Sequence, residues 1–253
     1  MTAGMLRWLS FCLLALLPSL HAADTEAILR EAQAAESRLD TKRALELFWQ
    51  ADRLRPDNSF ILQKIARQYS DLVPEQVTVA EKKRLAEAAL DYAQRATALD
   101  PMDAVNVLSL AVCHGTLAVY SDTKTKIAYS RQVREEAERA LQLNPRYAWA
   151  HDVLGRWHYE VAALGTTSRL FVRLLYGGLP DASFTEAIRH LRLAVELEPD
   201  ELNHVLELGF AYAAAGQENL ARAEWKRGLA MPSRGKHDEP AKQRARDALQ
   251  RSD

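Results

Sequence analysis

Two histidines, a tryptophan, a tyrosine and a glutamate fall within one short stretch, "HDVLGRWHYEVAALG" at 151–165. Imidazoles and a carboxylate on one helical face could ligate a metal ion or move protons. His151 and His158 are seven apart, so they share a face two turns from each other. Two imidazoles on one zinc need the closer i, i+4 spacing of HExxH, and Glu160 points to a different face from His158. The sequence also has no Gly-rich phosphate loop, no GxSxG elbow and no CxxC pair. "GG" at 177–178 is too short to cradle a phosphate. The expectation is no catalytic residue, no metal ligand and no cofactor, with both histidines packing between helices.

Helices must position these side chains. Ala, Leu, Glu and Arg are abundant, while 253 residues hold only 10 glycines and 9 prolines, the composition of an all-helical chain. A net charge of −1 lacks the basic excess expected of a nucleic-acid binder. Residues 1–22 read as a signal peptide: Arg7, an apolar run from Trp8 to Leu17, then "PSLHA" with cleavage after Ala22. The expectation is an exported protein, periplasmic if the source is bacterial. Cleavage leaves one cysteine, Cys113, read as buried.

Four phrases punctuate the chain: "LRPD" at 54–57, "LDPM" at 99–102, "LNPR" at 143–146 and "LEPD" at 197–200. Each proline stops a helix. Five residues before it stand Ala51, Ala96, Ala140 and Ala194, and twelve before it Ala44, Ala89, Val133 and Ala187. Small residues seven apart share a face and admit a close neighbour. Upstream helices carry a large–small pair, Ile65-Ala66, Leu110-Ala111, Leu154-Gly155 and Leu208-Gly209, then Tyr69, His114, His158 and Tyr212.

This pattern resembles the tetratricopeptide repeat, a 34-residue helix–turn–helix unit. Units starting at Thr25, Ser59, Ala104, Ala148 and Leu202 are separated by 34, 45, 44 and 54 residues. The excess falls around 73–83, 119–128 and 163–182, where loop residues cluster. The expected fold is all-α, a tetratricopeptide-like right-handed solenoid with long insertions between paired helices. Its units are 25–58, 59–103, 104–147, 148–201 and 202–235, closed by a polar capping helix at 238–250.

A narrower resemblance lies in 103–199. "HGTLAVYSDTKTKIAYSRQVREEAERALQLNP", "AHDVLGRWHYEVAALG" and "LLYGGLPDASFTEAIRHLRLAVELEP" are similar to the regulator of microtubule dynamics family. The resemblance implies an α-helical repeat that acts by binding partners, without catalysis. Eukaryotic members are associated with microtubules, mitochondria and membrane contacts, a setting different from that of an exported chain.

Groove positions carried over from the tetratricopeptide fold are Phe60, Gln63 and Arg67; Val105, Leu108 and Val112; Trp149, Arg156, Tyr159 and Glu160; Leu206 and Phe210. Aromatics and arginines facing a cleft suit a protein or peptide partner, and a non-catalytic scaffold is the expected function. The insertion "SRLFVRLLYGGL" at 168–179 is nearly continuous in apolar residues. Leu170, Phe171, Leu174, Leu175 and Tyr176 are expected to fold onto the groove. The alternative function is therefore an apolar-ligand or lipid-binding module with this segment as its lid, or as a membrane-surface contact.

Overall fold

The structure, a computed structural model, describes residues 24–251. The expected signal peptide lies outside them. Helix α1 runs over 24–37 of the described chain. It is followed by α2 (Thr41–Leu54), α3 (Ser59–Leu72), α4 (Val79–Leu99), α5 (Ala104–Val119), α6 (Thr123–Leu143), α7 (Ala148–Ala162), α8 (Thr166–Tyr176), α9 (Phe184–Leu197), α10 (Leu202–Ala214), α11 (Glu218–Ala230) and α12 (Asp238–Arg251). No strand occurs among the described residues. Helices pack in consecutive antiparallel pairs, α3 with α4, α5 with α6, α7 with α9 and α10 with α11, and each pair packs on the next. This is the tetratricopeptide solenoid.

The proline phrases explain the helix ends. Helices α2, α4, α6 and α9 stop at Leu54, Leu99, Leu143 and Leu197, each two residues before a proline. Side-chain caps start α3 and α4. Asn58 accepts from the Ile61 amide, and Thr78 with Glu81 forms a capping box. Ala51, Ala96, Ala140 and Ala194 are fully buried, as are Ala44, Ala89 and Ala187. Their small side chains let first and second helices approach. Gly155 marks one such close crossing: a Cβ there would stand 2.6 Å from Leu191 Cγ and 3.1 Å from the Ala187 carbonyl.

Two insertions expected as loops are largely helix. The capping box at Thr78 and the Asp122 cap start α4 and α6 early, and both run for 21 residues in good helix formers. Only a short 3-10 turn, Val73–Glu75, remains between α3 and α4. The third insertion forms α8.

Helix α8 corrects a second expectation. It lies against α6, a second helix, and not across the first helices that line the groove. The Arg131 guanidinium of α6 holds it by donating to the carbonyls of Tyr176 and Gly178, and Arg169 caps the end of α7 through the Ala162 carbonyl at 2.7 Å. Gly177 and Gly178 take positive φ to turn the chain there. Leu170, Phe171, Leu174 and Leu175 stay exposed, at 53–74%, and Tyr176 is half-buried. Among the described residues no apolar surface covers them, and here they neither fold onto the groove nor close it.

Candidate interaction groove

The first helices α3, α5 and α7 each present their second residue outward. Phe60, Val105 and Trp149 occupy this one repeat position and are 43%, 41% and 37% exposed. Arg67 and Val112 are exposed along the same helices, and Arg156, Tyr159 and Phe210 are half-buried. Gln63 ties α3 to α5 by donating to Ser109 Oγ at 3.2 Å, and Glu160 is exposed. Lys64 sits 5.7 Å over the Phe60 ring and pairs with Glu36 at 2.7 Å.

Leu108 and Leu206 are not groove residues. Ala104, Leu108 and Ala111 form the stripe of α5 that faces the core. Leu206 is fully buried in the notch left by Gly228, where a Cβ would meet its Cγ at 2.8 Å.

At the far end a charged knot joins three helices. The Glu207 carboxylate of α10 is buried and accepts from the Tyr159 hydroxyl of α7 at 2.7 Å. Arg156 of α7 lies 3.7 Å away, and Arg244 of α12 donates to Glu207 and stacks 3.9 Å from the Phe210 ring. Burial alone would raise the Glu207 carboxyl, but the two guanidiniums outweigh it and hold the group below the usual carboxylate range. Burial, with Glu207 beside it, pushes the Tyr159 hydroxyl far up. Nearby, buried His204 pairs with Asp152 at 2.9 Å, and Trp149 packs edge-on to its ring at 4.6 Å.

The loop before α12 crosses to the start of the solenoid. Lys236 Nζ reaches Thr41 Oγ1 at 2.7 Å and Glu75 at 2.6 Å, while His237 pairs with Asp71 at 2.8 Å. Sequence reasoning missed this strap and the Glu207 knot. A glutamate inside the apolar run "HVLELGFAY" was the available signal for the knot; nothing local marks the strap.

His151 and His158 are buried on α7, facing α9. Cys113 is buried as expected, and burial pushes its thiol up to about 12, so it is no nucleophile. His158 meets Glu186 and His190 of α9, with one donor atom of each within 4.8 Å of the others. Glu186 and His190 stand at the i, i+4 spacing inside "EAIRHL", the signal that could have found them.

Residues 28–253 match the sequence profile of regulator of microtubule dynamics protein 1-3. Regulator of microtubule dynamics protein 1 of Mus musculus is 28% identical over 201 residues, 79% of this chain. The chain spans 65% of that relative's length. Regulator of microtubule dynamics protein 3 of Xenopus laevis is 30% identical over 143 residues, 56% of this chain and 31% of its own. A thermophilic tetratricopeptide protein from Thermus thermophilus superposes with a TM-score of 0.65 at 22% identity, covering 89% of this chain and 99% of its own.

Proposed function

The chain belongs to the regulator of microtubule dynamics family, and on that premise we propose that it is a non-catalytic scaffold that holds an extended protein segment in its groove. The observation that carries this reading is the ladder of Phe60, Val105 and Trp149 at one repeat position, flanked by Arg67 and Arg156. Repeated apolar side chains left in water next to fixed charges suit a bound peptide: the apolar row supplies binding energy, and the charges set orientation. The signal-like residues 1–22 support action outside the cytosol, in the periplasm of a bacterial source.

Peptide display against the purified chain tests this. Selected peptides should bind the wild type and lose roughly tenfold or more with Trp149→Ala or Arg67→Glu, since a truncated interface anchor costs about 2 kcal/mol or more. Failure to enrich any peptide, or peptides indifferent to both variants, would sink the reading.

A second reading rests on α8, whose four exposed apolar residues lie beside Arg169 and Arg173. Such a helix fits an anionic lipid surface. Co-sedimentation with phosphatidylserine vesicles, abolished by Leu174→Asp with Leu175→Asp, would support it. The relatives' name links them to microtubules; a tubulin-pelleting assay tests whether that role extends to this chain.

A further inference from the structure

On the side away from the ladder, α6, α7 and α9 border an open cleft of about 520 Å³. His158, Glu186 and His190 open onto it together, and their donor atoms converge. His158 is 93% buried and makes no hydrogen bond among the described residues; its Nδ1 is shut off from solvent with no partner. A buried polar atom in that state costs free energy, and native proteins tolerate few of them.

Hydrogen bonding fixes which nitrogen of His190 is free to ligate. The Arg189 guanidinium, which can only donate, lies 2.7 Å from His190 Nε2, so Nε2 carries a lone pair and Nδ1 the proton. That Nδ1–H donates to His151 Nδ1 at 2.8 Å, and His151 Nε2–H donates to the Pro145 carbonyl at 3.0 Å. Pro145 and His151 thus orient the His190 ring and hold its tautomer, as supporting groups behind a metal-ligating imidazole do. Glu186 Oε2 stands 4.0 Å from His190 Nε2, and both already share one cation, because Arg189 also donates to Glu186 at 2.7 Å.

We propose that His158, Glu186 and His190 form a binding site for a zinc-class divalent ion, which displaces the Arg189 guanidinium. Two imidazoles and one carboxylate are the nitrogen-rich donor set that zinc takes, whereas magnesium and calcium favour oxygen donors. Arg189 is 55% exposed and swings into solvent without unpacking the core. Zinc–nitrogen bonds of about 2.1 Å bring ligand atoms closer than the present 4.8 Å limit, so binding rotates the half-exposed Glu186 side chain inward and draws the two imidazoles slightly together. Three protein ligands leave a coordination position open to the cleft. The ion would clamp α7 to α9, the pair separated by the longest insertion. This site is independent of the groove and of what the groove holds.

Zinc chloride is titrated calorimetrically into the untagged, chelator-stripped full chain, and cobalt chloride is followed by visible absorption. Binding at one equivalent with a tetrahedral cobalt spectrum is expected. Glu186→Gln should weaken it roughly 10- to 100-fold, and Arg189→Ala should tighten it by removing the competing cation. His158→Asn, checked for helicity, should abolish the cobalt spectrum. Absence of binding in both the wild type and Arg189→Ala overturns the site. So does binding that Glu186→Gln and His158→Asn leave unchanged, which would be adventitious.

Discussion

The His237 imidazole lies 2.8 Å from the Asp71 carboxylate, joining the loop before α12 to the end of α3 across 166 positions of sequence. Together with Lys236 on Thr41 and Glu75, it straps the last repeat to the first two. Extended solenoids make only neighbour contacts, so this crossing bounds the groove at both ends. The double variant Lys236→Ala with His237→Ala should enlarge the radius of gyration in solution scattering while costing no more than about 1–2 kcal/mol, because the pairs are partly solvated. An unchanged radius would mean that the strap does not set the curvature.

Gly155→Ala places a methyl group 3.1 Å from the Ala187 carbonyl, a backbone atom that cannot swing aside. Alanine's better helix propensity, about 1 kcal/mol, works the other way. Overpacking should win, with a net loss of about 1–2 kcal/mol in urea unfolding followed by circular dichroism. Gly165→Ala, where a Cβ meets nothing within 4 Å, is the control and should leave stability nearly unchanged.

Glu207→Ala strands Arg156 and Arg244 and removes the partner of the Tyr159 hydroxyl. A loss of about 2–4 kcal/mol is expected, somewhat below a fully buried pair because both arginines are more than 40% exposed. The Glu207 carboxyl is lower in the folded state, so its contribution is present above the usual glutamate value and fades as acid protonates it. The variant's stability should therefore converge on that of the wild type in strong acid.

Burial first, then the Arg189 charge and the two neighbouring imidazoles, push His190 down to about 3. Its unfolded value is 6.5. Between pH 6.5 and about 3 the unfolded chain binds a proton that the folded site refuses, so stability falls as pH drops through 6.5. His151 and His158 shift in the same direction, and His204 in the opposite one. His190→Asn should make the loss between pH 7 and pH 5 smaller by about 1–2 kcal/mol. An unaltered slope would show that the folded protein binds the His190 proton as readily as the unfolded chain.

Much of this protein follows from short-range rules. Proline placement sets where α2, α4, α6 and α9 stop, because a missing N–H and a ring clash act within one turn. The alanines seven apart choose the inner face of each second helix, because helical periodicity is local. The groove positions carried over from the tetratricopeptide fold misassigned Leu108 and Leu206, since which side of an apolar helix meets the core depends on the neighbour it packs against. The apolar run of α8 suggested a covered helix, although no apolar partner meets it among the described residues.

Only the tertiary structure decided what meets what across the insertions. His158 and His190 lie 32 positions apart, and their approach depends on α9 returning to α7 after α8 departs sideways. The Glu207 knot draws on three helices, and the strap spans nearly the whole described chain. Periodicity fixes each helix's own face, but small rotations between successive pairs accumulate along a solenoid. Those rotations, set by packing at sites such as Gly155, place the distant side chains in reach.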